Sequence, residues 1–154
     1  SQEFGDIEKA LSQSKISTKS RLAYITLKRD FPFLAKTIPI ILNKINPSIG
    51  ELLRFSEGRE SFKFLIDMAK KEEILQLIKS PYVVDVRENL AEINIHFGNG
   101  YEEVFGIRAA ILNELGAHTV SVIETIGCLP EFMLILNEKD IGKAHDVLLS
   151  LFYK

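Results

Sequence analysis

A glycine-rich segment, Gly98-Asn99-Gly100, contains the residues whose types and spacing best suit chemistry, and Glu102 and Glu103 follow it closely. Glycines carry no Cβ, so the backbone N–H groups of such a loop can come close to a small ligand. Where the loop leads into a helix, the N–H groups at the helix N-terminus favour an anionic group such as a carboxylate. Non-covalent binding of a small molecule is therefore the chemistry indicated. The same glycines also suit an ordinary solvent-exposed turn, and both interpretations remain open.

Side chains that could do other chemistry are scattered along the sequence. The three histidines, His96, His118 and His145, do not have the spacing of zinc ligands. The single cysteine, Cys128, has no CxxC partner. Ser121 lacks the sharp glycine turn of a hydrolase nucleophile, and no constellation of His, Ser or Lys accompanies the acidic residues. We therefore expect no catalytic residue, no metal and no cofactor, and a protein that is not an enzyme.

A strand and a helix flank the glycine segment. Residues 90–97 alternate between apolar and polar side chains, the pattern of a half-buried strand. Apolar residues at helical spacing predict a helix over residues 104–115, ended by Gly116. Glu102 and Glu103 are expected in its first turn, where negative charge suits the helix dipole.

The same strand–helix unit occurs earlier in the chain, and this internal repeat is the strongest feature of the sequence. Residues 22–27 match residues 90–95 at an offset of 68, and residues 41–45 match residues 111–115 at an offset of 70. The second copy is therefore longer by two residues, and the extra length falls in the glycine loop.

The two repeats predict an α+β fold. The first is expected as strand, helix, two strands, helix and strand, at residues 22–28, 33–45, 49–56, 61–68, 70–80 and 82–87. Pro39 predicts a kink or a late start in the first of these helices. The second repeat follows the same order without a closing strand, at residues 90–97, 104–115, 119–126, 131–137 and 141–152. The expected architecture is two ferredoxin-like βαββαβ repeats, each an antiparallel sheet with helices on one face.

An N-terminal arm precedes the repeats. Four apolar residues near one helical face predict a short helix, namely Phe4, Ile7, Ala10 and Leu11. Residues 15–19 suit an edge strand, and they are the one unassigned extended stretch that could cover the unpaired edge of strand 90–97. We expect the arm over residues 1–20, the first repeat over residues 21–88 and the second over residues 89–154.

The composition limits the partners. The chain has 154 residues, 46% of them hydrophobic, which is enough for one ordinary domain or two small ones. The net charge of −2 disfavours nucleic acid, whose phosphates need clustered Lys and Arg. No apolar run approaches the roughly 20 residues of a membrane span. A single cysteine favours a reducing, cytoplasmic location.

The second half of the sequence resembles the ACT domain, a small regulatory module that binds ligands, and especially the tandem copies at the C-terminus of aspartate kinases. The resemblance is carried by residues 97–100, 104–112, 118–124, 132–136 and 143–149, and the first half shares it by repetition. In that family, amino acids often bind between copies, against the first loop and the following helix start. The resemblance implies a ligand site at Gly98, Asn99, Gly100, Glu102, Gly106, Val120, Ser121 and Val122.

The resemblance also implies a function. The implied function is that of a non-catalytic, allosteric regulatory module that binds an amino acid or a similar small metabolite at an inter-domain or subunit interface. The module is expected to be at least a homodimer. The sequence departs from the family at Phe105, where a proline is common, and the first copy has Ala35-Lys36 where Phe105-Gly106 align. The alternative is an ACT-like protein that serves structure or protein interaction without a ligand. The sequence names neither the ligand nor the regulated pathway.

Overall fold

The computed structural model of the chain describes residues 2–153, except for the side chains of residues 2–4 and 103, so the expected packing of Phe4 lies outside it. The described helices are α1 (Gln2–Ser12), α2 (Phe31–Lys44), α3 (Lys71–Leu77), α4 (Ile107–Ala117) and α5 (Ile141–Phe152). The described strands are β1 (Lys15–Lys28), β2 (Leu53–Glu57), β3 (Ser61–Asp67), β4 (Val83–His96), β5 (Val122–Cys128) and β6 (Glu131–Asn137).

The chain forms two compact units. Unit 1 consists of Ser1–Ser20 together with Ala91–Lys154, and unit 2 consists of Arg21–Leu90. Unit 2 has the βαββαβ order that the repeat pattern predicts, and unit 1 has the same strands and helices with one strand supplied by residues 15–20, so the expected α+β class is confirmed.

Unit 2 is an antiparallel sheet covered by α2 and α3. Its strand order is β2-β3-β1-β4, and Phe64 of β3 lies opposite Ile25 of β1 and Phe55 of β2. The core is built from alternate residues of these strands and from the inner faces of the helices, where Ile41 and Ile74 are fully buried. The period-two and helical patterns of the sequence therefore converge on one core.

Helix α2 begins earlier than the sequence predicts. The carboxylate of Asp30 caps the helix, because its Oδ1 accepts a hydrogen bond of 2.9 Å from the Phe33 N–H. Pro32 fits the first turn, where its missing N–H has no partner to lose. Pro39 lies inside the helix without ending it, so of the two effects expected of this proline, a kink or a late start, the late start is wrong.

The segment before β2 also departs from the prediction. Residues 49–52 were expected in a strand, but a 3-10 turn covers Pro47–Ile49 and β2 begins only at Leu53. Asn46 caps this turn through its side chain, and Gly50 adopts a left-handed φ of 86°. A capped turn that ends in a left-handed residue cannot continue as a strand, which explains the difference.

Unit 1 contains β5, β6, α4, α5 and the arm. Its strand order is β1-β4-β6-β5, in which β1 contributes residues 15–20 and β4 contributes residues 91–96. Residues 15–20 thus occupy the position of the last strand of a βαββαβ unit, next to its first strand. The core lies between the sheet and the helices and includes Ile93, Ile95, Ile111 and Leu148.

Helix α1 is part of this core. Leu11 is fully buried and Ala10 nearly so, and half-buried Ile7 packs against the same cluster. The hydroxyl of Tyr153 donates a hydrogen bond of 2.8 Å to the carbonyl oxygen of Ser14, just after the helix. The arm is therefore integrated into unit 1.

Strands β1 and β4 are longer than the predicted segments. Each has 14 residues, whereas the sequence suggested a break between residues 19 and 22 and another between residues 87 and 90. Arg21 and Asn89 have positive φ values of 62° and 58° and lie at or beside the residues where the chain passes between units. Such a conformation locally changes the course of a strand while the strand continues.

We expect Leu11→Ala to lower the free energy of unfolding by about 2–5 kcal/mol, because it leaves a cavity in a closed core. Ile49→Ala is the matched control, since Ile49 is largely exposed and should change stability by less than about 0.5 kcal/mol. Urea denaturation measures both, and hydrogen exchange of residues 91–96 should accelerate only in Leu11→Ala. Equal effects of the two substitutions would show that α1 does not stabilise unit 1.

Candidate ligand-binding site

The glycine loop is anchored at both ends. Before it, Phe97 is buried, and its N–H donates a hydrogen bond of 3.0 Å to the carbonyl oxygen of Pro130. After it, a 3-10 turn covers Tyr101–Glu103, and the Tyr101 ring stacks on Phe97 with centroids 5.1 Å apart. The loop is therefore held on a rigid base, as a binding site requires.

The structure explains why two positions of the loop, 98 and 100, are occupied by glycine. A Cβ on Gly98 would lie 2.6 Å from the Cβ of Gln13 and 2.9 Å from its carbonyl oxygen, so the end of α1 approaches the loop too closely for any side chain. Gly100 has a left-handed φ of 83°, which other residues adopt with strain. The absence of a side chain at Gly98 thus allows the end of α1 to pack against the loop. The left-handed conformation of Gly100 changes the direction of the chain.

Two cavities flank Gly98 and Asn99. The smaller one, of about 260 Å³, lies between α1 and the loop. The larger one, of about 580 Å³, is lined by Gln13, Lys15, His96, Phe97, Gly98 and Asn99. Gln13 and Asn99 line both cavities, and their amides can donate and accept hydrogen bonds. We call the smaller one the arm cavity; its lining is Asp6, Lys9, Ala10, Gln13, Asn99, Gly100 and Val104.

The arm cavity presents charges of both signs. Asp6 and Lys9 line it, and neither side chain forms an ion pair or hydrogen bond with another described residue. Lys9 can therefore bind a carboxylate and Asp6 an ammonium group, while the amides of Gln13 and Asn99 complete the polar lining. This arrangement suits a small zwitterion.

Glu102 and Gly106 are not among the residues that line either cavity. Helix α4 begins at Ile107, three residues later than predicted, so Glu102 is an exposed residue of the preceding 3-10 turn and does not belong to the first turn of α4. The physical reason is Gly106, whose left-handed φ of 76° separates the turn from the helix. A Cβ on Gly106 would meet no atom within 4 Å, and the residue lines neither cavity.

The predicted strand residues 120–122 are also placed differently. Strand β5 begins at Val122, so Val120 and Ser121 precede it. The Val120 N–H donates a hydrogen bond of 2.9 Å to the carbonyl oxygen of Leu115, and its side chain is buried in the core. Ser121 is exposed, and none of the three residues lines either cavity. Helix α4 continues through Gly116 to Ala117, so it ends later than the sequence predicts. Thr119, which follows the helix, has a positive φ of 59° that changes the direction of the chain before β5.

Sequence reasoning missed the residues that α1 contributes, namely Asp6, Lys9 and Gln13. They lie more than eighty residues before the loop, so local patterns do not connect them to it. The available signal was the polar side of the predicted arm helix, together with a glycine at position 98 that could have accommodated a close approach.

The described residues contain no group of three or more His, Cys, Asp or Glu side chains that could hold a metal ion. Within the same part of the chain, no helix is both long and apolar enough to cross a membrane.

Solved structures share this fold. Aspartate kinase from Clostridium acetobutylicum, described as an allosteric enzyme, matches with a TM-score of 0.70 and 18% identity, over 89% of this chain and 34% of that one. A C-terminal domain described as regulatory in aspartate kinase from Porphyromonas gingivalis W83 matches with a TM-score of 0.62 and 19% identity, over 92% of this chain and 98% of that one. Aspartokinase III from E. coli, in complex with lysine and aspartate, matches with a TM-score of 0.61 and 14% identity, over 90% of this chain and 33% of that one. No protein-family profile and no curated protein matches the sequence.

These similarities concern the fold. The chain spans about a third of the two kinases and nearly all of the P. gingivalis domain. Identities below 20% establish a shared architecture, and function has to be argued from the site. The expected resemblance to the regulatory regions of aspartate kinases is confirmed at that level.

We expect Gly98→Ala to destabilise the protein by about 1–3 kcal/mol, because the new methyl group overlaps Gln13 and its backbone. Gly142→Ala is the control, since a Cβ there meets open space in α5 and alanine is the better helix former. Thermal unfolding should separate the two variants by several degrees. If Gly98→Ala unfolded like Gly142→Ala, the close approach of α1 to the loop would be refuted.

Proposed function

We propose that the protein is a non-catalytic regulatory module that binds an amino acid or a similar small metabolite at the glycine loop. The observation that carries this proposal is the arm cavity, where the Asp6 and Lys9 side chains pair with no other described residue and lie beside Asn99 and Gly100. Its volume of about 260 Å³ lies just below the 300–1,000 Å³ of sites for drug-sized ligands, which suits a smaller metabolite.

The comparisons add support of a different kind. The aspartokinase III structure contains lysine and aspartate, and the P. gingivalis domain is described as regulatory. A chain with this fold and a cavity of mixed charge is therefore a reasonable host for an amino acid. The ligand site we propose comprises the loop residues together with Asp6, Lys9 and Gln13 from the arm. Glu102, Gly106 and residues 120–122 contribute to it only if a second copy of the chain completes the site.

The proposed mechanism is thermodynamic linkage. A ligand held between α1 and the loop favours the docked position of α1, by no more than its differential affinity for the docked and undocked states. Helix α1 leads directly into β1, whose first residues belong to unit 1 and whose later residues belong to unit 2. Occupancy of the site is thereby coupled to a strand that both units use.

Thermal unfolding with each of the twenty amino acids tests the proposal. A ligand at 100 times its Kd should stabilise the fold by about 2.7 kcal/mol. Lys9→Gln and Asp6→Asn should each weaken that stabilisation, because each removes one charge from the cavity. Lys139→Gln, an exposed substitution in unit 1 away from the cavity, should leave it unchanged. A flat response to all twenty at millimolar concentration would contradict the proposal.

The second candidate function is a structural or interaction protein without a ligand. Exposed aromatic residues favour it, since Phe105 is 82% exposed and Phe31 is 76% exposed. Aromatic residues are enriched in protein–protein interfaces relative to the rest of the surface. A flat amino-acid response together with stable self-association would support this function.

We further propose that the chain is at least a homodimer and that its partners are copies of itself and small molecules, not nucleic acid. Strand β1 pairs with β3 and β4, and β4 pairs with β1 and β6, so the first strand of each repeat has a neighbour on both sides. The available surfaces are helix faces, where Leu42 of α2 and Leu112 of α4 are exposed at matching positions of the repeats. The single exposed, free Cys128 supports a reducing, cytoplasmic location.

Replacing both Leu42 and Leu112 by lysine should convert the dimer into a monomer, because lysine places a charge in an apolar contact. Light scattering at tens of micromolar measures the mass. Leu129→Lys serves as the control, since Leu129 is an exposed leucine outside both helices. A monomeric parent protein, or a dimer unaffected by the double substitution, would contradict this prediction.

A further inference from the structure

Unit 2 contains a groove of about 440 Å³ that lies beside the start of α2 and the segment following α3. Its polar lining comes from Asp30, Lys36, Thr37 and Lys79. This groove is separate from the glycine loop, and it lies in the repeat whose own loop carries no glycine.

An aromatic pair forms one wall of the groove. The rings of Phe33 and Tyr82 are parallel within 3°, and their centroids are 3.9 Å apart. Phe33 comes from the first turn of α2, and Tyr82 ends the 3-10 turn that precedes β4. Both side chains remain half-buried, so the pair can pack against the apolar part of a ligand.

Two lysines, Lys36 and Lys79, line the groove. Neither Lys36 nor Lys79 forms an ion pair or a hydrogen bond with another described residue. Two other lysines of unit 2 are paired: Lys44 lies 3.6 Å from Glu73, and hydrogen bonds to Glu88 and Glu72 raise the pKa of Lys71.

Thr37 contributes a hydroxyl group to the lining of the groove. Its residue is only 5% exposed, it lines the groove, and its hydroxyl has no hydrogen-bond partner among the described residues. A threonine hydroxyl can donate one hydrogen bond and accept others. A ligand oxygen in the groove would supply that partner.

We propose that unit 2 holds a second binding site, for an organic monocarboxylate with an aromatic or bulky apolar part. The carboxylate lies between Lys36 and Lys79 and accepts a hydrogen bond from the Thr37 hydroxyl, while the apolar part packs on the Phe33–Tyr82 pair. Asp30 also lines the groove, and its Oδ1 is occupied by the Phe33 N–H. Two lysines and one aspartate give the groove a formal charge of +1, which matches a monoanion better than inorganic phosphate.

Titration of the full chain with phenylacetate, followed by nuclear magnetic resonance of backbone amides, tests the site. We expect saturable shifts that are concentrated at residues 30–37 and 79–82. The neutral analogue phenylacetamide should bind at least tenfold more weakly, because it cannot form charge-assisted hydrogen bonds. Inorganic phosphate should also bind more weakly, because it leaves the aromatic wall uncovered.

Substitutions make the test specific. The double variant Lys36→Gln, Lys79→Gln should weaken phenylacetate binding at least tenfold without changing the unfolding midpoint, since both side chains are exposed. Lys44→Gln, in the same helix but outside the groove, should bind like the parent. Thr37→Val should weaken binding severalfold. Lys9→Gln should have no effect, which separates this site from the arm cavity.

Three results would overturn the proposal. They are the absence of saturable binding, an equal loss in Lys44→Gln and in the double variant, and phosphate binding as tight as that of phenylacetate. None of these results bears on the amino-acid response assigned to unit 1.

Discussion

Every backbone N–H and C=O group in the middle of a sheet needs a partner, and this requirement organises unit 1. There β4 has β6 on one side, and its other side is paired by residues 15–20 of β1. Because these residues are fixed in the sheet, α1 is brought onto the core, where Leu11 is buried. The arm cavity depends on the same pairing, since Asp6 and Lys9 reach the glycine loop only from a docked α1.

The sequence predicts most of the fold because the relevant signals are local. Alternation and helical spacing repeat at an offset near 70, and this is sufficient for two βαββαβ units. The errors lie where one left-handed residue changes the path of the chain. Helix α4 begins only after the left-handed Gly106, β2 begins only after the left-handed Gly50, and the left-handed Thr119 follows α4, so that β5 begins only at Val122. Such conformations are set by neighbouring turns, which periodicity does not report.

The candidate site could be predicted only in part. The glycines of the loop were open to two interpretations, and the structure gives each glycine its own reason. Gly98 is required by the approach of Gln13 and Gly100 by its left-handed φ, while Asn99 lines both cavities. The residues that α1 adds are distant in sequence, so only the completed fold brings Lys9 and its neighbours to the loop.

A comparison of the two repeats explains why the groove beside Phe33 and Tyr82 in unit 2 is open. Tyr82 and Phe152 correspond at the offset of 70 that relates α3 to α5. In unit 1, α1 packs beside α5, and Phe152 is buried in one core with Leu11. Residues 21–90, which form unit 2, contain α2 and α3 but no counterpart of α1. Tyr82 therefore stays half-buried and stacks on Phe33, and its polar hydroxyl suits a position that solvent can reach.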